Sequence, residues 1–202
     1  VALINPGFRS PKRHEQNLPP GQSTVEGWPV LTYGPTPRVA TANWQLAIDG
    51  EVHAPITLDW NAFNRLPKTT MKTDIHCVTR WSKLGMEWEG VSLDELIRQA
   101  GGLKDDARYL IAASYGGYTT NLPVADIING QALVATQAQG EPLTPEHGGP
   151  ARLFVPHLYF WKSAKYVNRL TFTTRDHPGF WEVNGYHNYG DPWREQRYDT
   201  DI

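Results

Sequence analysis

Cysteine is all but missing from this sequence: Cys77 is the single thiol in 202 residues. No disulfide can form within the chain. A zinc site of paired CxxC thiols is excluded too, and the seven histidines are scattered. Net charge is sparse, at −2, so the overall balance does not draw the chain to nucleic acid or to a membrane surface. No apolar run approaches the roughly 20 residues of a spanning helix. There is no GxGxxG after a strand, no GxxxxGK followed by Ser or Thr, and no HExxH, which leaves a Rossmann dinucleotide site, a P-loop and a zincin unsupported. Repeats and domain linkers are lacking as well. The first residues carry no charged-then-apolar leader, while the numbering starts at Val1. A cytoplasmic location is expected, or a periplasmic one if a leader was removed.

Tryptophan and proline are plentiful, at eight and sixteen residues, and favour a loop-rich fold of many short strands over a helical bundle. Residues 1–27, which include PKRHEQNLPPGQ, have no periodicity and are expected to form an N-terminal arm; residues 28–202 are expected to form one domain. Trp28 to Pro37 reads as an extended, proline-bounded segment. Strands are expected over Trp44–Ile48, Lys68–Ile75, Ala107–Ala113, Leu133–Ala138, Arg152–Val155 and Tyr166–Thr174. Asp49-Gly50 reads as a hairpin turn returning through Pro55–Leu58. Asp59 caps a short helix to Leu66, and Ser92 with Glu95 forms a capping box for a helix that stops at Gly101-Gly102. Pro123 starts another short helix through Asn129. Strands outnumber helices without alternating with them, which predicts an α+β fold with mixed sheets.

Two stretches collect chemistry. In Asp74–Gly90 (DIHCVTRWSKLGMEWEG), Cys77 sits where a strand runs out into what reads as a glycine-punctuated, tryptophan-lined loop. His76 is poorly placed to deprotonate it, because strand neighbours face opposite ways. Composition alone favours a packed cysteine over a reactive one. The second stretch, between His147 and Arg175, contains no Asp or Glu but holds Arg152, Lys162, Lys165, Arg169 and two histidines. Gly148-Gly149 would let backbone amides approach an anion there, and a phosphate suits such a loop. A solvated basic face is the alternative, in which the chain is a non-catalytic β-rich module for an anionic small molecule.

The motifs HCVTRW, EWEGVSLDELI and EHGGPARLFVPHLYFWKSAKYV, in this order, resemble the molybdopterin-binding domain of the sulfite oxidase and methionine sulfoxide reductase superfamily. The likeness spans roughly Trp28 to Arg197. It implies a sulfite oxidase-type fold of bacterial type, a molybdenum–molybdopterin cofactor, and oxygen-atom transfer supported by a haem or flavin redox partner. It implies Cys77 as the one protein ligand to molybdenum. The pterin and its phosphate would fall to His147, Arg152, Ser163, Ala164 and Lys165, with Ser114, Thr32 and Tyr33 touching the cofactor and His76 and Lys162 flanking it. Trp81, Trp88, Tyr115 and Tyr118 would wall the pocket. Sulfite oxidases carry an arginine-asparagine-histidine run where this chain reads Leu31-Thr32-Tyr33, and Thr79 stands where the reductase branch commonly has an acid. The resemblance therefore points to a sulfoxide-reductase-like activity more than to sulfite oxidation.

Overall fold

The computed structural model describes residues 17–202. The first sixteen residues of the expected arm lie outside this range. The chain builds two mixed sheets. One contains β1 (Ser23–Thr24), β4 (Thr69–His76), β5 (Trp81–Ser92), β8 (Leu133–Ala138), β9 (Glu141–Pro142) and β10 (Arg152–Phe154). The other runs in the order β3 (Ile56–Asp59), β2 (Gln45–Gly50), β11 (Val167–Thr173), β6 (Tyr109–Ser114) and β7 (Thr119–Pro123). Parallel pairs β1–β5 and β2–β11 sit among antiparallel neighbours. The helices are short: α1 (Trp60–Asn64), α2 (Leu93–Gln99) and α3 (Phe180–Val183). This is the expected α+β class with mixed sheets. Among the described residues no helix is long and apolar enough to cross a membrane.

Local chemistry starts and stops the elements. Asp59 accepts from the Ala62 amide at 2.7 Å and opens α1, and Ser92 accepts from the Glu95 amide at 3.2 Å and opens α2. The Glu95 carboxylate turns to Arg98 and Gln99, so only the serine half of the expected capping box forms. The stretch Trp81–Gly90 is not a loop: it is most of β5, the longest strand. Two features hide this in sequence. Gly85, at φ +63°, marks a bulge where its amide meets Asp74 Oδ1 at 2.8 Å. Gly90 lets the strand cross close to β8, where a Cβ would sit 2.0 Å from the Val134 carbonyl oxygen.

The first sheet is covered on both faces, and its period of two decides which side chain goes where. Val91, Val134 and Leu153 face the larger core, which they share with Leu46, Leu170, Phe172 and the apolar face of α2. Trp88, Leu133, Ala135 and Phe154 face a second core that contains Cys77, Trp81 and Trp161. Arg152 lies two residues before Phe154, and so on the same face as Cys77. That alternation is what brings a cation from β10 to a thiol beyond β4.

Candidate functional site

Cys77 opens the tight turn joining β4 to β5. The Arg80 amide donates to the Cys77 carbonyl at 3.0 Å, the Cys77 amide donates to Trp81 O at 2.9 Å, and Arg80 is left-handed at φ +72°. This is a three-residue hairpin loop closed by a bulge residue, a position glycine usually takes. The turn aims the Cys77 sulfur at a cavity of about 390 Å³ while leaving the residue only 7% exposed. Burial pushes the thiol pKa up, and the hydroxyl of Thr79, donating to Sγ at 3.1 Å, works against that, as does the Arg197 guanidinium.

Two kinds of side chain line the cavity. Arg152, Lys165 and His147 form a cationic group. Arg152 donates to the carbonyls of His147 and Ser163 at 2.8 and 2.7 Å, and its guanidinium lies 4.1 Å from the Phe160 ring centroid. Its Nε finds no partner among the described residues, and burial pushes its pKa down to about 9. Lys165 donates to the carbonyls of Leu31 and Glu146; burial first, then repulsion from Arg152, bring it down to about 8. His147 stacks on Trp28 at 3.7 Å between centroids. Its Nε2 meets the Trp28 carbonyl, an acceptor, so this nitrogen carries the proton. Burial and the two neighbouring cations lower its pKa and favour the neutral ring. Among the described residues no acid lines the cavity.

The second group is aromatic. Tyr33 packs on Phe180 at 5.0 Å, Phe180 on Trp181 at 5.0 Å, Trp181 on Tyr186 at 4.9 Å and Tyr186 on Trp161 at 5.0 Å. Trp81 adds an indole N–H with no partner among the described residues.

Of the residues named from sequence, Cys77, His147, Arg152, Ser163, Lys165, Thr32 and Tyr33 all border this one cavity. The remaining four lie elsewhere. His76 is buried on the other side of the strand, bonded to Ser82 Oγ at 2.7 Å. Ala164 packs in the larger core, although its amide and that of Lys165 meet no acceptor among the described residues. Ser114 is buried behind the wall with an unpartnered hydroxyl. Lys162 is held by Glu182 at 2.7 Å and by carbonyl oxygens of Asn121 and Asn188. Of the four expected wall residues, Trp81 and Tyr118 border the cavity. Trp88 stacks behind it on Phe154, and Tyr115 reaches back to Gln45 and Asn43. Sequence reasoning missed Trp28, Phe160, Trp181 and Tyr186 as lining residues. A pattern of aromatics could not single them out in a chain with so many.

The residues present fit an anionic, phosphate-bearing group. Among the described residues, two cations without a facing acid, a guanidinium nitrogen without a partner and two backbone amides without an acceptor are donors in search of acceptors. A metal at Cys77 would need ligands from elsewhere, since no three His, Cys, Asp or Glu side chains converge among the described residues.

Comparison with known proteins gives a consistent picture. Residues 33–181 match the family model described as the oxidoreductase molybdopterin binding domain. The chain is 45% identical over 185 residues to an uncharacterized oxidoreductase, YuiH, of Bacillus subtilis, covering 91% of this chain and 93% of that one. It is 28% identical over 163 residues to the protein-methionine-sulfoxide reductase catalytic subunit MsrP of Ralstonia nicotianae, covering 73% of this chain and only 49% of that protein's length. The sulfane dehydrogenase SoxCD from Paracoccus pantotrophus superposes with a TM-score of 0.64 at 25% identity, over 69% of this chain and 40% of that one.

Proposed function

The chain belongs to the molybdopterin-binding oxidoreductase family, and we propose that it transfers an oxygen atom to or from a small uncharged substrate, as a sulfoxide reductase does, rather than oxidising sulfite. Its cofactor is molybdenum carried by molybdopterin. The observation that carries the reading is a lone thiol sharing one acid-free cavity with two desolvated cations.

Cys77 Sγ would be the only protein ligand to the metal, and a soft thiolate suits a redox-active ion. Arg152, Lys165 and the amides of Ala164 and Lys165 would hold the phosphate, with Ser163 keeping that segment in place through its bond from the Val155 amide. His147, its ring stacked on Trp28 and its Nε2 proton on the Trp28 carbonyl, would line the pterin edge as a neutral wall. Thr32 and Tyr33 would close the cavity over the cofactor. His76, Ser114 and Lys162 would support these walls from behind. When bound, the cofactor supplies a two-electron couple that exchanges oxygen with the substrate; its electrons would come from a small haem or flavin protein.

Substrate charge follows from what remains once the cations are committed to the phosphate. The aromatic group offers flat apolar faces and no arginine, and Leu31-Thr32-Tyr33 brings none. An oxyanion would enter without a counter-charge, whereas a neutral sulfoxide would be desolvated at little cost.

The test is molybdenum and pterin content of protein from a molybdenum-replete host, followed by turnover with reduced dye on sulfoxides, N-oxides and oxyanions. Stoichiometric metal is expected, with turnover on the uncharged oxides. Cys77→Ser removes the metal's protein ligand and should keep the fold while abolishing turnover. Protein that purifies from that host with neither molybdenum nor pterin, and whose Cys77→Ser variant binds a small anion as wild type does, would instead be a binding module.

A further inference from the structure

Two carbonyls of the turn that carries Cys77 are each met by a side chain from a distant part of the chain, the Cys77 carbonyl in addition to the Arg80 amide it accepts within the turn. Gln22 Nε2 donates to the Cys77 carbonyl at 3.0 Å. Arg197 Nη1 donates to the Val78 carbonyl at 2.7 Å, while its Nη2 donates to Pro20 O at 3.0 Å and its Nε to Glu195 Oε1 at 3.2 Å. Arg197 is only 2% exposed, and its guanidinium lies 5.0 Å from the Tyr159 ring centroid. The segments are fitted closely: at Gly21, φ +67°, a Cβ would come within 2.7 Å of Glu195 Oε1 and 3.2 Å of Arg197 Nη2. Both residues lie outside residues 33–181, the span the family model matches.

We propose that Arg197 and Gln22 are positioning residues for the metal-binding thiolate, so that the two flanks of the family domain complete the site. The inference rests on the cofactor reading above. Its physical content is twofold. Tying the carbonyls of Cys77 and Val78 to fixed donors holds the Cys77 backbone, and with it the sulfur, in one orientation through changes of metal charge. The buried guanidinium also favours the more negative, reduced state of a metal bound beside the turn: its one carboxylate partner, Glu195, is 41% exposed and met only through Nε at 3.2 Å, so solvent weakens that counter-charge more than the guanidinium's own.

The experiment compares wild type, Arg197→Met, Arg197→Lys and Gln22→Leu, purified with cofactor. It measures molybdenum retained after dialysis, the midpoint potential, and the thiolate-to-metal absorption. Arg197→Met is expected to weaken retention about 10–100-fold, as loss of an outer partner of a metal ligand does. It should also lower the potential. Arg197→Lys should restore the potential, since the charge returns, but not full retention, since an ammonium cannot span the Val78 and Pro20 carbonyls. Gln22→Leu should weaken retention and leave the potential near wild type. A merely structural Arg197 would lower folding stability in both arginine variants and leave the potential and absorption unmoved, which overturns the proposal. Where Arg197→Met does not fold, Arg197→Lys and Gln22→Leu decide: wild-type retention in both overturns it. Wild-type protein without molybdenum would sink the cofactor reading itself, a different result from normal loading that ignores these substitutions.

Discussion

Arg152 and Lys162 come from the same acid-free stretch of sequence, and each is 1% exposed. Lys162 is surrounded by acceptors: Glu182 Oε1 at 2.7 Å, Asn121 O and Oδ1 at 3.0 and 2.9 Å, and Asn188 O at 2.6 Å. Burial lowers its pKa and Glu182 opposes the shift. Arg152 has two carbonyls, an aromatic face, an idle Nε and no carboxylate. The first cation is part of the scaffold. It anchors α3, whose Glu182 it binds and whose Phe180 and Trp181 wall the cavity. The second is a charge left for a ligand to neutralise. Burial alone does not separate the two roles; the presence of a counter-charge does.

Lys162→Met tests this contrast most severely. It leaves the Glu182 carboxylate buried and unpaired, so urea denaturation should show a loss of about 3–5 kcal/mol. A loss below about 1 kcal/mol, the level of an exposed pair, would erase the distinction.

Arg152→Met should act in the opposite sense. Two carbonyls lose a donor but an unpaired charge leaves the interior, so the metal-free protein should stay within about 2 kcal/mol of wild type. Pterin binding should fall about ten- to a hundredfold, since hydrogen bonds to charged groups are worth about 1.5–3 kcal/mol. Denaturation of the metal-free protein and pterin retained on gel filtration measure the two effects separately.

The smallest effect is one of pH. Lys165 falls from its ordinary 10.5 to about 8 in the folded protein. Below about 8 both folded and unfolded chains carry the proton, and the buried charge costs its full amount. Between about 8 and 10.5 the unfolded chain binds a proton that the folded one has lost, so stability rises with pH. Arg152 adds to the rise from about 9 upward. The denaturation midpoint of the metal-free protein should therefore climb over this window. Lys165→Met should flatten the climb, as should the bound cofactor, whose phosphate keeps the ammonium charged. A midpoint that drops or holds level in metal-free wild type would contradict the assignment.

Much of this was legible residue by residue. Asp59 and Ser92 announce helix starts because capping is a local transaction between a side-chain oxygen and an amide three residues on. The strand Leu133–Ala138 was readable from a short, largely apolar segment (LVATQA) set between Gly130 and Gly140. The β5 strand was not, because glycines at 85 and 90 look like loop punctuation until a partner strand accounts for them. Arg197 carried no signal at all. It sits among charged residues in a tail, and only the folded chain brings it to the Val78 carbonyl, 119 residues away.

By itself the sequence determined the inventory: one thiol, a stretch without acids, a surplus of aromatics, and motifs in the order of a known family. Those properties are additive over residues and survive without a fold. What the tertiary structure alone decided is partnership, namely which cation meets a carboxylate, which faces empty space, and which distant side chains grip the Cys77 turn. Partnership depends on distances of a few ångströms between residues far apart in the chain, and only strand alternation and packing set those.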